Sequence, residues 1–269
     1  MKIGFIGAGN MGRAIIRGLL QAKFVPAKHV FASGRNMEKL SAFCKANGLR
    51  ACENNEDLVG VCDVVVVAVK PAMFARVLPP LAETLFRRKP LVISVAAGTS
   101  LATISALAGG DSVPVVRAMP NVAAGLGLSM TALCASPSAL GHVDVARDLF
   151  ATVGRVMEIE ESLFSAFSAV ACASPAFAFL FVEALAKAGL REGLTKEQST
   201  LAAAQAVYGS AKMLLEQLEH PAVLADRVCS PGGTTIEGVA ALEQRAFTAT
   251  VMEAVAAAVK KDRTMLEKQ

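Results

Sequence analysis

Two glycine-bearing segments, one near each end of the chain, carry the residue types from which a site could be built. The first is Gly7-Ala8-Gly9-Asn10-Met11-Gly12, a G-x-G-x-x-G spacing between an apolar run, Lys2–Ile6, and an apolar-periodic stretch. Set between a strand and a helix, that spacing implies a dinucleotide fingerprint. Gly7 permits the tight turn, Gly9 lets backbone approach a pyrophosphate, and Gly12 lets the helix pack closely. The phosphates would face a helix N-terminus, where free N–H groups and the helix dipole favour anions. The second segment is Ser230-Pro231-Gly232-Gly233-Thr234-Thr235, which heads another helical pattern in a region otherwise rich in Ala and Leu.

About twenty residues beyond Gly12, an NAD-preferring site carries an acidic residue for the ribose hydroxyls. Here the second strand, ending at Ser33, runs into Gly34-Arg35-Asn36 with no carboxylate before Glu38. A carboxylate would repel a 2′-phosphate, whereas the Ser33 hydroxyl and Arg35 guanidinium would bind it, which favours NADP(H). Asn55 precedes Glu56-Asp57 and has two readings, an N-cap or a contact to the adenine end of the cofactor. The three histidines, His29, His142 and His220, have no evident acid or nucleophile partner, so no catalytic triad emerges. Hydride transfer to an already electrophilic carbon needs orientation more than a strong acid. The cysteines at 44, 52, 62, 134, 172 and 229 form no C-x-x-C and no cluster with His, which argues against a metal site and fits a reducing cytoplasm.

Positioning these groups requires an α/β frame. Asp63–Val69 and Leu91–Val95 read as strands covered on both faces, and Val113–Arg117 as a third. The segments Ala68-Val69-Lys70-Pro71, Ala96-Ala97-Gly98 and Ala118–Asn121 fall at strand ends, where open parallel sheets hold ligands. A helix near 138–152 and a strand near 155–159 complete a dinucleotide-binding domain, residues 1–160. Residues 161–269 change to a helical period, with helices expected near 161–173, 175–189, 195–218 and 234–266. Leu201, Ala204, Tyr208, Ala211, Leu215 and Leu218 form one apolar stripe. Ala169–Leu185 offers few polar positions, and so apolar a helix must be buried, which implies a homodimer through these C-terminal helices. The fold class is therefore α/β, an N-terminal Rossmann-type doubly wound sheet followed by an all-helical dimerisation domain. Net charge is +4 from scattered residues with no basic block, which speaks against nucleic-acid binding. Uninterrupted apolar runs stay short, which speaks against a membrane span, and no charge-then-apolar leader opens the chain, so a cytoplasmic protein is expected.

With those residues in hand, the chain resembles the pyrroline-5-carboxylate reductase family. The resemblance runs through FIGAGNMG, AVKP, SVAAG, RAMPN, AKMLLE and, most specifically, SPGGTTIEGVAALE. It implies NADPH-dependent reduction of 1-pyrroline-5-carboxylate to L-proline, with NADH as an alternative donor, in a homodimer that in the family often assembles into larger rings. It implies cofactor contacts at Gly7 to Gly12, Ser33, Arg35, Asn55, Ala68 to Pro71 and Ala96 to Gly98. It also implies that Gly233, Thr234 and Thr235 contact the imino acid, the Thr235 hydroxyl bonding the ring nitrogen. Glu161 matches a family acid near the substrate, and a carboxylate at a helix start explains it equally well. A helix opening after Gly232-Gly233 would offer orphan N–H groups to the substrate carboxylate.

The chain departs from the family in places. Cys172-Ala173-Ser174-Pro175-Ala176-Phe177 replaces the usual G-x-G-P-A-Y, Phe164–Ser168 lacks an acid found in some members, and Arg227 stands where Asn is common. Two alternatives are a paralogous NADPH-dependent reductase of another cyclic imine and a non-catalytic NADPH sensor. Lys187 is the first Lys beyond Ala166 and lies late in its helix, which argues against 3-hydroxyacid dehydrogenases.

Overall fold

The computed structural model describes residues 1–266. Valine-rich segments that cannot face water on either side form the centre of the sheet. β1 (Ile3–Ile6), β2 (Val30–Ser33), β4 (Val64–Val67) and β5 (Leu91–Ser94) are buried along their whole length, as is β6 (Val115–Met119). With β3 (Arg50–Ala51), β7 (Ser129–Ala135) and β8 (Gly154–Glu158) they make one eight-stranded sheet in the order β3-β2-β1-β4-β5-β6-β7-β8. The first six are parallel, β7 runs antiparallel to β6, and β8 is parallel to β7.

Alternate residues of each strand enter opposite layers, as the two-residue repeat of a strand requires. Ile3, Phe5, Val64, Val66 and Ile93 join one core with Ile15, Ile16 and Leu19 from the helix Asn10–Gln21. Ile6, Val65, Val67 and Val92 join the other with Leu58 and Val59 from the helix Asn55–Val61. Crossover helices therefore cover both faces, and the carboxyl ends of the parallel strands share one edge. His29 closes the 3-10 turn Ala27–His29, and β2 begins one residue later.

The chain divides into two compact units. The first is Met1–Cys172 with the final stretch from Val259, and the second is Ala173–Ala258. The second is helical. Ser174–Arg191 packs along Lys196–Gln217, whose start is fixed by a capping box in which Thr195 and Gln198 exchange side-chain and backbone bonds. Pro221–Val228 and Thr234–Gln244 follow, and the helix Phe247–Leu266 starts in this unit. One unbroken helix over 234–266 does not form. The chain interrupts it at Arg245 and Ala246, the latter at φ 56°.

Only Ala186, Ser199 and Ala203 are buried within the second unit. The stripe expected on Lys196–Gln217 faces away from its own chain, with Leu201 71% exposed, and Leu180 on the neighbouring helix is 70% exposed. Surfaces of this kind mark association sites. The run Glu161–Arg191 is the single candidate among the described residues that is long and apolar enough to cross a membrane. Its most apolar 18 residues average a hydropathy of 1.9, because isolated Ser and Pro lower the mean little.

That run also does not end at Pro175. It passes through a π-helical turn, Ser168–Ala173, into the helix Ser174–Arg191. Pro175 has no N–H to give the carbonyl four residues back, Ala171. Asn121 Nδ2 donates to that carbonyl instead, at 2.8 Å.

Candidate active site

At the sheet edge the first glycine segment has the geometry its spacing implies. Gly7 takes φ +99°, and a Cβ there would sit 2.8 Å from the Ala68 carbonyl oxygen. A Cβ on Gly12 would come within 2.5 Å of the Gly7 carbonyl oxygen. Nothing approaches the Cβ position of Gly9, so the space over it is open. Gly9 is the N-cap of Asn10–Gln21 and supplies no side-chain bond, which leaves the helix's first N–H groups facing that space. Arg13 donates from Nε to the Ala8 carbonyl at 2.9 Å and stacks over Phe43, holding the turn from behind. A helix start with bare N–H groups and open space in front fits a pyrophosphate.

Further along the edge lies a cleft of about 370 Å³, lined by Arg35 and Asn55 among others. Ser33 does not line it. The residue is 1% exposed, and its hydroxyl donates to Asn55 Oδ1 at 2.7 Å. Ser33 therefore acts on the cleft through Asn55. Asn54, not Asn55, caps the helix Asn55–Val61, accepting from Asp57 N at 2.8 Å. Asn55 is thus free of the cap role and held by Ser33.

The loops Ala68–Pro71, Ala96–Gly98 and Ala118–Asn121 leave β4, β5 and β6 side by side on this edge, with Gly98 at φ +68°. Asn121 braces the third loop, its Oδ1 accepting from Ala123 N at 3.0 Å and its backbone N–H donating to Ser129 Oγ at 3.1 Å.

Behind these loops Glu161 accepts from Leu101 N at 2.6 Å, at the start of the helix Leu101–Leu107, and from Arg117 Nη1 at 2.9 Å. It therefore caps a helix other than its own. Arg117, in β6, is 1% exposed and lies over the Phe164 ring, 4.4 Å from its centroid. Its Nε and Nη2 have no hydrogen-bond partner among the described residues. This pair borders a second cleft of about 380 Å³, with Gly98, Ser100 and Arg263 on its walls. Sequence reasoning missed Arg117, although a lone charge inside the Val-rich run Val113–Arg117 was a usable signal.

Burial sets the thiol chemistry. It pushes Cys134 up to about 12, with the Glu161 charge adding to the effect. It pushes Cys172 up to about 11, with Asp262 contributing less. Both stay protonated near neutrality, and Cys172 directs Sγ at the Pro120 carbonyl oxygen, 3.8 Å away. Neither serves as a thiolate nucleophile.

In the second unit, Gly232 turns the chain at φ +65°, and Gly233 N donates back to the Ser230 carbonyl at 3.0 Å. A Cβ on Gly233 would meet Ser230 Oγ at 2.2 Å. Gly233 caps Thr234–Gln244 with no side-chain bond, so this helix also opens with bare N–H groups beside the Thr234 and Thr235 hydroxyls. Arg227 is held by Glu219, Nη2 to Oε1 at 2.8 Å, so the substitution of Arg for Asn arrives with its own counter-charge.

Comparison with known proteins places both halves. The model for pyrroline-5-carboxylate reductase dimerisation matches residues 161–265, and that for NADP oxidoreductase, coenzyme F420-dependent, matches residues 2–98. The pyrroline-5-carboxylate reductase of Escherichia coli (strain K12) is 38% identical over 263 residues, covering 97% of this chain and 96% of its own. That of Thermus thermophilus is 38% identical over the full length of both chains. Among solved structures, a pyrroline-5-carboxylate reductase from Coxiella burnetii superposes with a TM-score of 0.93 at 33% identity, covering 98% of each chain. The Plasmodium falciparum enzyme, solved with NADP bound, gives 0.87 at 30% identity, covering 99% of this chain and 98% of its own.

Proposed function

This chain belongs to the pyrroline-5-carboxylate reductase family, and from that premise we propose how its residues divide the work. The protein is an NADPH-dependent oxidoreductase that reduces 1-pyrroline-5-carboxylate to L-proline, and it forms a homodimer. Bound NADPH would supply the hydride that turns the ring C=N carbon, already a CH, into a CH2.

The N–H groups of Gly9 to Gly12, with Ala8 and Asn10 in the same turn, would hold the pyrophosphate. Arg35 and Asn55 would take the phosphorylated ribose, with Ser33 holding Asn55 for that purpose. Ala68, Val69, Lys70 and Pro71, with Ala96, Ala97 and Gly98, would line the nicotinamide end. In the second unit the substrate carboxylate takes the N–H groups that follow Gly233, and Thr234 completes that anion cradle. The Thr235 hydroxyl bonds the ring nitrogen. As the carbon accepts hydride, the C=N π electrons collect on that nitrogen, and the hydroxyl orients it and relays the proton that a neutral imine needs. The observation that carries this division is the uncapped, glycine-opened start of Thr234–Gln244 beside two hydroxyls. Glu161 serves the substrate by bracing the loop that leads into Leu101, since its Oε1 accepts from both Arg117 and the Leu101 N–H.

Residues 1–160 form the dinucleotide-binding domain and 161–269 the dimerisation domain, consistent with a dimerisation match that starts at 161. A second copy, rather than a membrane, covers the apolar faces of the back half, and dimers assemble further into a ring. Six unpaired cysteines support a reducing cytoplasm.

The test is NADPH oxidation, followed by absorbance, with a panel of cyclic imino acids. Turnover with pyrroline-5-carboxylate above the rest is expected. Turnover only with another imine would assign a paralogue reshaped at Cys172–Phe177, and binding without oxidation would assign a sensor. Thr235→Ala is expected to lower kcat by about 10² to 10³ with little change in NADPH affinity. Wild-type turnover in that variant refutes the role of Thr235.

A further inference from the structure

Arg76 has no part in the site as described, yet it lines the same cleft as Arg35 and Asn55. The two arginines arrive by different routes. Arg35 follows β2, and Arg76 lies in the short helix Phe74–Val77 beyond β4. The chemistry of the cleft wall is one-sided. Ser33 donates to Asn55 Oδ1, which fixes the amide and leaves both Nδ2 hydrogens to give, and a guanidinium carries donors alone. Glu56 also lines the cleft, and the Thr84 hydroxyl already engages its carboxylate. Met73 and Val77 supply an apolar shelf beside these donors. Hydrogen-bond donors with two positive charges against one negative, next to apolar side chains, suit a phosphomonoester attached to an apolar-faced base.

We propose that Arg76 is a second specificity-determining residue, which closes on the 2′-phosphate of NADPH opposite Arg35 while the adenine lies on the Met73–Val77 shelf. The proposal rests on the assignment of Arg35 to that phosphate. Two guanidinium groups from separate crossovers fix the phosphate from two directions, which a single flexible arginine cannot do. They also make the cofactor choice depend on the β4 crossover as well as on the loop after β2. A stacking role for Arg76 over the adenine would instead serve NADH and NADPH alike.

The experiment uses the full-length enzyme and two nucleotide probes, 2′,5′-ADP and 5′-AMP, as inhibitors competing with the cofactor. In Arg76→Ala the ratio of kcat/KM with NADPH to that with NADH is expected to fall about tenfold, and the inhibition constant of 2′,5′-ADP to rise by a similar factor. That of 5′-AMP should stay in place. Equal weakening of both probes assigns Arg76 to the adenine and overturns the proposal. So does an unchanged ratio in Arg76→Ala alongside a fallen ratio in Arg35→Ala. An unchanged ratio in both variants removes the assignment of Arg35 as well.

Discussion

Glu161→Ala tests how the edge of the cofactor groove is held. The carboxylate faces Arg117, which is 1% exposed and keeps two nitrogens unbonded even with the pair intact. Removing one partner of a buried ion pair costs about 3–5 kcal/mol, because a charge is left without compensation. Two features lower that figure here. The Glu161 side chain is 33% exposed, so water enters where it was, and Arg117 retains the Phe164 ring beneath it. The loss of the Leu101 N–H bond adds about 1 kcal/mol. The sum is a destabilisation of about 3 kcal/mol, or a fall in Tm of roughly 6–12 °C for a unit of this size. Arg117→Met is the control. It leaves Glu161 wetted and still bonded to Leu101 N, and it places a thioether on the Phe164 ring, for a cost nearer 1 kcal/mol. Urea unfolding of both variants, at one fixed protomer concentration, measures the difference. If Arg117→Met is the more damaging of the two, the uncompensated-charge account is wrong. If Glu161→Ala keeps its stability while KM for the imino acid rises, Glu161 touches substrate and does not brace the loop.

Three further outcomes are expected. Asn121→Asp replaces the donor to the Ala171 carbonyl with an acceptor, so it should destabilise by about 1–3 kcal/mol and lower kcat, read by urea unfolding and initial rates. Leu180→Asp puts a charge on the exposed apolar face of Ser174–Arg191 and should shift sedimentation from dimer toward monomer; a dimer of unchanged mass would place the interface elsewhere. Cys62 is pushed up to about 12, mainly by burial and then by the nearby Cys52 and Asp63. A raised folded-state value stabilises fully below the unfolded thiol's pKa, and the contribution drains away as pH rises toward the folded value. Stability should therefore decline from about pH 9 upward, by at most about 1.4 kcal/mol per pH unit from this thiol, and Cys62→Ala should flatten the decline.

What the sequence revealed and what it hid have separate physical origins. The central strands were legible because full burial demands continuous Val and Ile. The Gly7–Gly12 turn was legible because its glycines answer to local sterics, as φ +99° at Gly7 shows. β7 was hidden, since Ser129–Ala135 reads SMTALCA, and its strand state comes from pairing with β6 and β8 rather than from its own residues. The Ser33–Asn55 bond and the Arg117–Glu161 pair join residues far apart in the chain, and no periodicity announces such contacts. The π-helical turn before Pro175 joins the two helices expected near 161–173 and 175–189, and the bond from Asn121 to the Ala171 carbonyl that accompanies it comes from a residue fifty positions away.

The bare back half has a consequence in time. The first unit buries its own cores but includes the stretch from Val259, so it is whole only once the end of the chain is made, while the second can bury only Ala186, Ser199 and Ala203 by itself. A subunit therefore finishes burying its apolar surface only against a second copy. In a cell making two versions of the chain, mixed pairs would form and, with so much apolar surface held closed, would trade members slowly. A defective version would then hold sound copies in mixed pairs, and its harm would exceed its own share of the protein made.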